Sequence, residues 1–206
     1  MKRGIANLHS DSSGMVYIKI LGVFLLLSFV SVLPLVVSDY WQYVLMVAFY
    51  YTIMASSWNL LAGYTGQFSL GHHTFSMIGA YGSTLLMHKA GLPFWVSIPA
   101  GIALVLIVSV LLGMLCLRVE GLYLVLVTWS FAEVVKNYVR LHINFTGGDR
   151  GLDSPLLFGT MKPFWYYYLF LGLAVFTVFL IWFIMRTRMG FYFRAIRDDS
   201  IAAPSM

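Results

Sequence analysis

FWVSIPAGIALVLIVSVLLGMLCL, Phe94 to Leu117, carries no charged side chain, and its reading decides the fold. A membrane-spanning helix needs roughly 20 largely apolar residues, and this stretch supplies them without interruption. Working outward from it, five further apolar windows are bounded by Pro, Gly or charge: Val16 to Val37, Trp41 to Leu61, Phe68 to Met87, Leu122 to Leu141 and Phe164 to Met185. The predicted fold is therefore all-α, a polytopic transmembrane helical bundle of about six spans. It forms one transmembrane domain over residues 1–206, with a polar N-terminal tail at 1–15 and an amphipathic C-terminal segment at 186–206.

Composition points the same way. Of the 206 residues, 60% are hydrophobic and 10% charged, a balance suited to hydrocarbon rather than water, and no soluble catalytic domain fits between the spans. The net charge of +5 does not indicate nucleic acid, because the basic residues are scattered at segment ends and form no run with interleaved aromatics. The only cysteine, Cys116, excludes an intrachain disulfide and a thiolate cluster. Lys2 and Arg3 precede the apolar run from Met15 to Val37 in the manner of a signal peptide, but that run exceeds an h-region and reads as a first membrane anchor.

Orientation follows from charge. With both ends cytoplasmic, Lys2, Arg3, Lys19, Arg118, Arg186, Arg188, Arg194 and Arg197 lie inside, and only Lys89, Arg140, Arg150 and Lys162 outside, as the positive-inside rule demands. The aromatic clusters Tyr40–Trp41–Tyr43, Phe94–Trp95 and Phe164 to Tyr168 then fall at the outer interface.

The third window is crowded with glycine: Gly63, Gly66, Gly71, Gly79 and Gly82 lie before or within it, each weakening a helix by up to ~1 kcal/mol against Ala. Two readings stand together. Small-xxx-small pairs such as Gly79 with Ser83, or Ser76 with Ala80, let helices approach closely. Alternatively, glycines such as Gly66 and Gly71 interrupt the helix, so that freed backbone groups with Gln67, Ser69 and His72 line a polar cavity. His72 and His73 point about 100° apart on a helix and cannot grip one metal ion, so no metal or cofactor is expected. Glu133, a carboxylate within a span, is expected to face the bundle interior and to pair with Lys136 one turn away.

The stretch WNLLAGYTGQFSLGHHTFSMIGAY, Trp58 to Tyr81, resembles the signature of LivM-type permease subunits of branched-chain amino acid ABC importers. TWSFAEVVKN at Thr128 to Asn137, TGGDRGL at Thr146 to Leu152 and RMGFYFRAIRDDSIAA at Arg188 to Ala203 resemble later motifs of that family, in order and spacing. The resemblance covers about Thr52 to Ala203, and departs where His73 and Thr74 replace the small residues usual after the histidine matched by His72. It implies the ABC importer permease fold, alternating access in a bacterial inner membrane, and a substrate pathway including Gly66, Gln67, Ser69, Gly71, His72 and Glu133. The loop with Thr146, Gly147, Gly148 and Asp149 would lie at the outer gate beneath a periplasmic or lipid-anchored solute-binding protein. Arg194, Ala195, Arg197, Asp198, Asp199, Ala202 and Ala203 would form the coupling contact with two cytoplasmic ATP-binding subunits, and a paralogous permease would complete a heterodimer in membrane lipid. No GKS or GKT motif occurs, so ATP hydrolysis is expected in those partners. The family's further helices imply that this chain stops inside the coupling loop as a truncated or partial form. Because of His73, a urea or short-amide importer is the alternative solute reading. A secondary transporter and a membrane enzyme using His72, His73, Glu133 and Asp149 are the alternatives of other classes.

Overall fold

The computed structural model describes residues 21–116, 119 and 121–198, and every described element is helical. Helix α1 runs over Leu21–Leu35, closing in a 3-10 turn at Leu33–Leu35 where Pro34 sits at its start. Next come α2 (Asp39–Asn59), extended by a π-helical turn at Leu60–Tyr64, α3 (His72–Ala90), α4 (Phe94–Cys116) and α5 (Leu122–Leu141). After the short α6 (Ile143–Thr146) and a 3-10 turn (Gly148–Arg150), α7 (Pro163–Arg186) and α8 (Arg188–Asp198) end the described chain. Among the described residues, a helix thus lies in each of the six predicted windows. Three of them, α2 with its π turn, α4 and α7, are both long and apolar enough to cross a membrane. The less apolar α3 and α5 carry most of the polar side chains discussed below. The aromatic clusters stand at the first turns of α2, α4 and α7.

The chain divides into two compact units. In the first, Met1–Ala48 with Lys162–Gly172, backbone groups at the end of α1 are met by side chains from elsewhere. Gln42 Nε2 donates to the Pro34 and Val37 carbonyls at 2.8 and 3.3 Å, which caps the α1–α2 connection. Tyr167 and Tyr168 donate their hydroxyls to the Val30 and Ser31 carbonyls at 2.6 and 2.9 Å.

The second unit, Phe49–Met161 with Leu173–Met206, is organised around the pairing of α3 with α4. Gly101 on α4 is buried, and a Cβ built on it would lie 3.0 Å from the Gly79 carbonyl oxygen and 3.0 Å from Ser83 Cβ. The two backbones approach closely because both sides of the contact are small, as the small-xxx-small reading anticipates. Ser83 spends its hydroxyl within α3, donating to Gly79 O at 2.8 Å, so no polar group is stranded in the seam.

The third helix is displaced from its predicted span. It runs from His72 to Ala90 rather than from Phe68 to Met87, and it passes through Gly79 and Gly82 without a break. The interruption lies before it, at Thr65–Gly71, where the chain leaves the π turn. Gly66 there adopts φ +71°, a conformation that a Cβ penalises.

Candidate functional site

The interrupted segment is held by side chains from two neighbouring helices. Trp58, on the last full turn of α2, donates its indole Nε1–H to the Ser69 carbonyl at 2.8 Å. Thr128 on α5 accepts the Leu70 N–H at 3.1 Å and returns its own hydroxyl proton to the Leu124 carbonyl at 3.0 Å. Ser69 Oγ accepts the Gly71 N–H at 3.3 Å. Backbone groups freed from helical pairing thus find partners inside the protein, which is the condition for irregular backbone in a membrane bundle. Ser69, Thr74 and Thr128 are all buried.

An open cleft of about 390 Å³ lies against this segment. Tyr51 and Trp58 of α2, Ser69 and Leu70 of the segment, and His72 and His73 at the start of α3 line it. The arrangement combines aromatic walls with few polar groups, as small-solute sites do. Among the described residues, no group of three or more His, Cys, Asp or Glu is placed to hold a metal ion.

Of the residues predicted for a substrate pathway, Ser69 and His72 line the cleft. Gly66 and Gly71 shape the backbone beside it, and Gln67 is exposed. Gly71 is less constrained than its motif suggests. A Cβ there would meet Ser69 Oγ at 3.6 Å and Thr128 Cβ at 3.7 Å, ordinary contacts at a negative φ. Glu133 is not among the cleft residues. Five positions beyond Thr128, it lies roughly 140° further around α5 and pairs with Lys136 at 3.1 Å, the two side chains 42% and 51% exposed. The predicted pair therefore forms on a face of α5 that stays half open in the isolated chain.

The loop predicted for the outer gate is a compact knot. Thr146 is buried, its hydroxyl within 2.9 Å of the His142 carbonyl while accepting the Gly148 N–H at 3.3 Å. Gly147, at φ +75°, has no room for a Cβ, which would run into the Gly151 carbonyl. Asp149 accepts two hydrogen bonds from Arg140, at 2.7 and 3.3 Å, so its carboxylate already has a partner within the chain.

The segment predicted for coupling forms α8, whose apolar side chains gather on one face. The Arg194 guanidinium turns back and donates to the Gly190 and Met185 carbonyls, both at 3.2 Å; the latter is among the last carbonyls of α7, which have no helical donors. Ala195 is half-buried. Arg197 Nη1 donates to the Gly63 carbonyl at 3.0 Å. The Asp198 side chain and all of Asp199, Ala202 and Ala203 lie outside the described residues, as do Lys2, Arg3, Lys19 and Arg118.

Trp58, Thr128 and Gly63 were not predicted as site residues. Trp58 and Thr128 do open two of the sequence motifs, and that position at a motif's edge was the available signal. Nothing local to Gly63 announces its partner 134 residues away.

Comparison with known proteins adds three findings. The family model described as the branched-chain amino acid transport system permease component matches residues 40–206. The chain is 31% identical, over 184 aligned residues, to the high-affinity branched-chain amino acid transport system permease protein LivM of Escherichia coli (strain K12), covering 76% of this chain and 43% of that protein. LivM of Salmonella typhimurium (strain LT2) matches with the same identity and coverage. The chain thus spans less than half the length of the curated relatives it matches. No solved structure matches.

Proposed function

From the premise that the chain belongs to the branched-chain amino acid transport permease family, a multi-pass membrane protein family, we propose that it works as a permease subunit of an ATP-driven importer for leucine-, isoleucine- and valine-like amino acids. The observation that carries this reading is that the family match spans both the cleft-lining segment around Ser69 and His72 and the C-terminal helix α8. The cleft and α8, which this reading takes as solute path and motor attachment, both fall within the matched residues.

In this reading the cleft beside Thr65–Gly71 belongs to the solute pathway. Its aromatic and aliphatic walls suit a branched side chain, and the polar groups at Ser69 and His72 suit the charged ends of an amino acid. Two cytoplasmic ATP-binding subunits drive the cycle through α8, a paralogous permease subunit completes the membrane unit, and a solute-binding protein delivers cargo to the loop at Thr146–Asp149. The N-terminal tail before the first span and the C-terminal segment from residue 186 face the cytoplasm of a bacterial inner membrane, a reading the distribution of basic residues supports. A conformational change then follows from nucleotide-dependent contacts at α8, since a ligand shifts an equilibrium only by binding its two states unequally.

The test is uptake of radiolabelled leucine and of urea by the full system reconstituted with its partner subunits. ATP-dependent leucine uptake is expected. Urea uptake without leucine uptake would replace the solute assignment. Leucine uptake that persists when the ATP-binding subunits are omitted would replace the motor with secondary transport.

A further inference from the structure

We propose that Arg197 is a positioning residue of the transport cycle, which ties α8 to the interrupted segment by holding the Gly63 carbonyl. The inference rests on the ATP-driven reading above and goes beyond it, because it assigns Arg197 to transmission within the chain rather than to a partner's surface.

In a continuing α-helix the Gln67 N–H would bond the Gly63 carbonyl. After the π turn it goes to the Leu61 carbonyl instead, at 3.3 Å, where the Thr65 N–H and Thr65 hydroxyl also converge at 3.3 and 2.6 Å. The winding change therefore leaves the Gly63 carbonyl to be met from outside the helix, and Arg197 Nη1 meets it at 3.0 Å. A cation there also faces the negative end of the α2 dipole. A second contact lies one turn on. A Cβ built on Gly66 would lie 3.4 Å from Arg197 Cγ and 3.8 Å from its Cα, so the backbone of α8 rests against the segment itself.

The other end of α8 is fixed as well. Arg194 bonds the Met185 carbonyl, and Gly190 is buried with no room for a Cβ, which would collide with that same carbonyl. Arg194 joins α8 to α7 and Arg197 joins it to Gly63, so a shift of α8 that keeps both bonds pulls on the chain entering Thr65–Gly71. That segment presents Ser69 and Leu70 to the cleft and is bonded to Trp58 and Thr128. Met189, Phe191 and Tyr192 remain exposed on α8, which leaves a separate surface for a partner.

The experiment uses the reconstituted complex with its partner subunits and compares wild type with Arg197→Ala and Arg197→Lys. For Arg197→Ala we expect leucine uptake per ATP hydrolysed to fall about tenfold, the size of one charge-assisted hydrogen bond. Arg197→Lys, which keeps a cationic donor, is expected to restore part of that coupling. In hydrogen exchange on the same complexes, the amides of residues 65–71 are expected to exchange about tenfold faster in Arg197→Ala, a readout that needs no knowledge of the solute. Wild-type coupling together with unchanged exchange overturns the inference. So does loss of the ATP-binding subunits from Arg197→Ala, which would make Arg197 a docking residue. Should Arg197→Ala fail to accumulate, Arg197→Gln decides by the same two readouts. Failure of the wild-type complex to take up leucine counts against the proposed function alone, since the exchange comparison still judges the tie between α8 and Gly63.

Discussion

Two regions of one glycine-rich stretch use the same residue for opposite purposes. At Gly63–Gly71 glycine lets the chain leave helical geometry: Gly66 takes a positive φ, and the freed backbone groups are claimed by Trp58, Thr128 and Arg197. At Gly79–Gly82 the helix runs on unbroken, and glycine serves only to bring the α4 backbone close at Gly101. The first use depends on backbone dihedrals and the second on side-chain volume. Substitutions that alter one property at a time therefore separate them.

The largest effect is expected on the packing side. Gly101→Leu forces a branched side chain against the Gly79 carbonyl and the Ser83 backbone nitrogen, 3.0 and 3.2 Å from a Cβ. Neither neighbour is a flexible side-chain end, so destabilisation of about 1–3 kcal/mol or more is expected, read as a lower melting temperature of the detergent-purified protein. A melting temperature equal to wild type would mean that α3 and α4 are not packed through this seam.

Next in size is a dihedral effect. Gly66→Ala places a Cβ on a residue at φ +71°, at a cost of roughly 1–2 kcal/mol. Gly66→Asn, whose side chain tolerates the left-handed region, should cost less. An order of Gly, then Asn, then Ala in stability would identify the backbone as the cause, whereas Asn worse than Ala would point to crowding against Arg197.

Smaller again is Trp58→Phe, which keeps the ring but removes the donor to the Ser69 carbonyl. A loss of about 1 kcal/mol is expected, with faster amide exchange confined to residues 65–71 and no change along α4. Exchange that rises throughout α3 and α4 would instead mean that the two regions open as one.

The smallest effect is expected at Gly71→Ala. The added methyl meets only ordinary contacts at 3.6 Å and beyond, and φ is negative, so stability should be unchanged or raised by about 0.4–1 kcal/mol through a less flexible unfolded chain. Loss of folding in this variant would show that the cleft is tighter than the structure has it.

How far the sequence could be read depended on whether a feature was local. Phe94 to Leu117 was legible as a spanning helix because its apolar residues are contiguous and uncharged, and α4 occupies that window from Phe94 to Cys116, where the described residues pause. The third window was legible as unusual but its start was misplaced, since Phe68, Ser69 and Leu70 look helical by composition and lie outside the helix, with Trp58 and Thr128 bonding the Ser69 and Leu70 backbone. Glu133 with Lys136 was legible because neighbours at i, i+3 meet on any helix. Arg194 was not legible in this way, because its guanidinium bonds the Met185 carbonyl at the end of α7, nine residues back. That contact arises only once α8 folds back beside Met185.

By itself, then, the order of residues determined the solvent and the six apolar windows that described helices occupy, because hydrophobic length is a property of contiguous sequence that hydrocarbon reads directly. It also determined that glycine would be concentrated between the second and third spans. Only the tertiary structure decided which glycines bend the chain and which let helices touch, that Thr128 rather than Glu133 reaches the interrupted segment, and that Arg197 closes on Gly63. Each of these is a contact between residues far apart in the chain, and a hydrogen bond's direction or a methyl-sized gap exists only after the helices have packed.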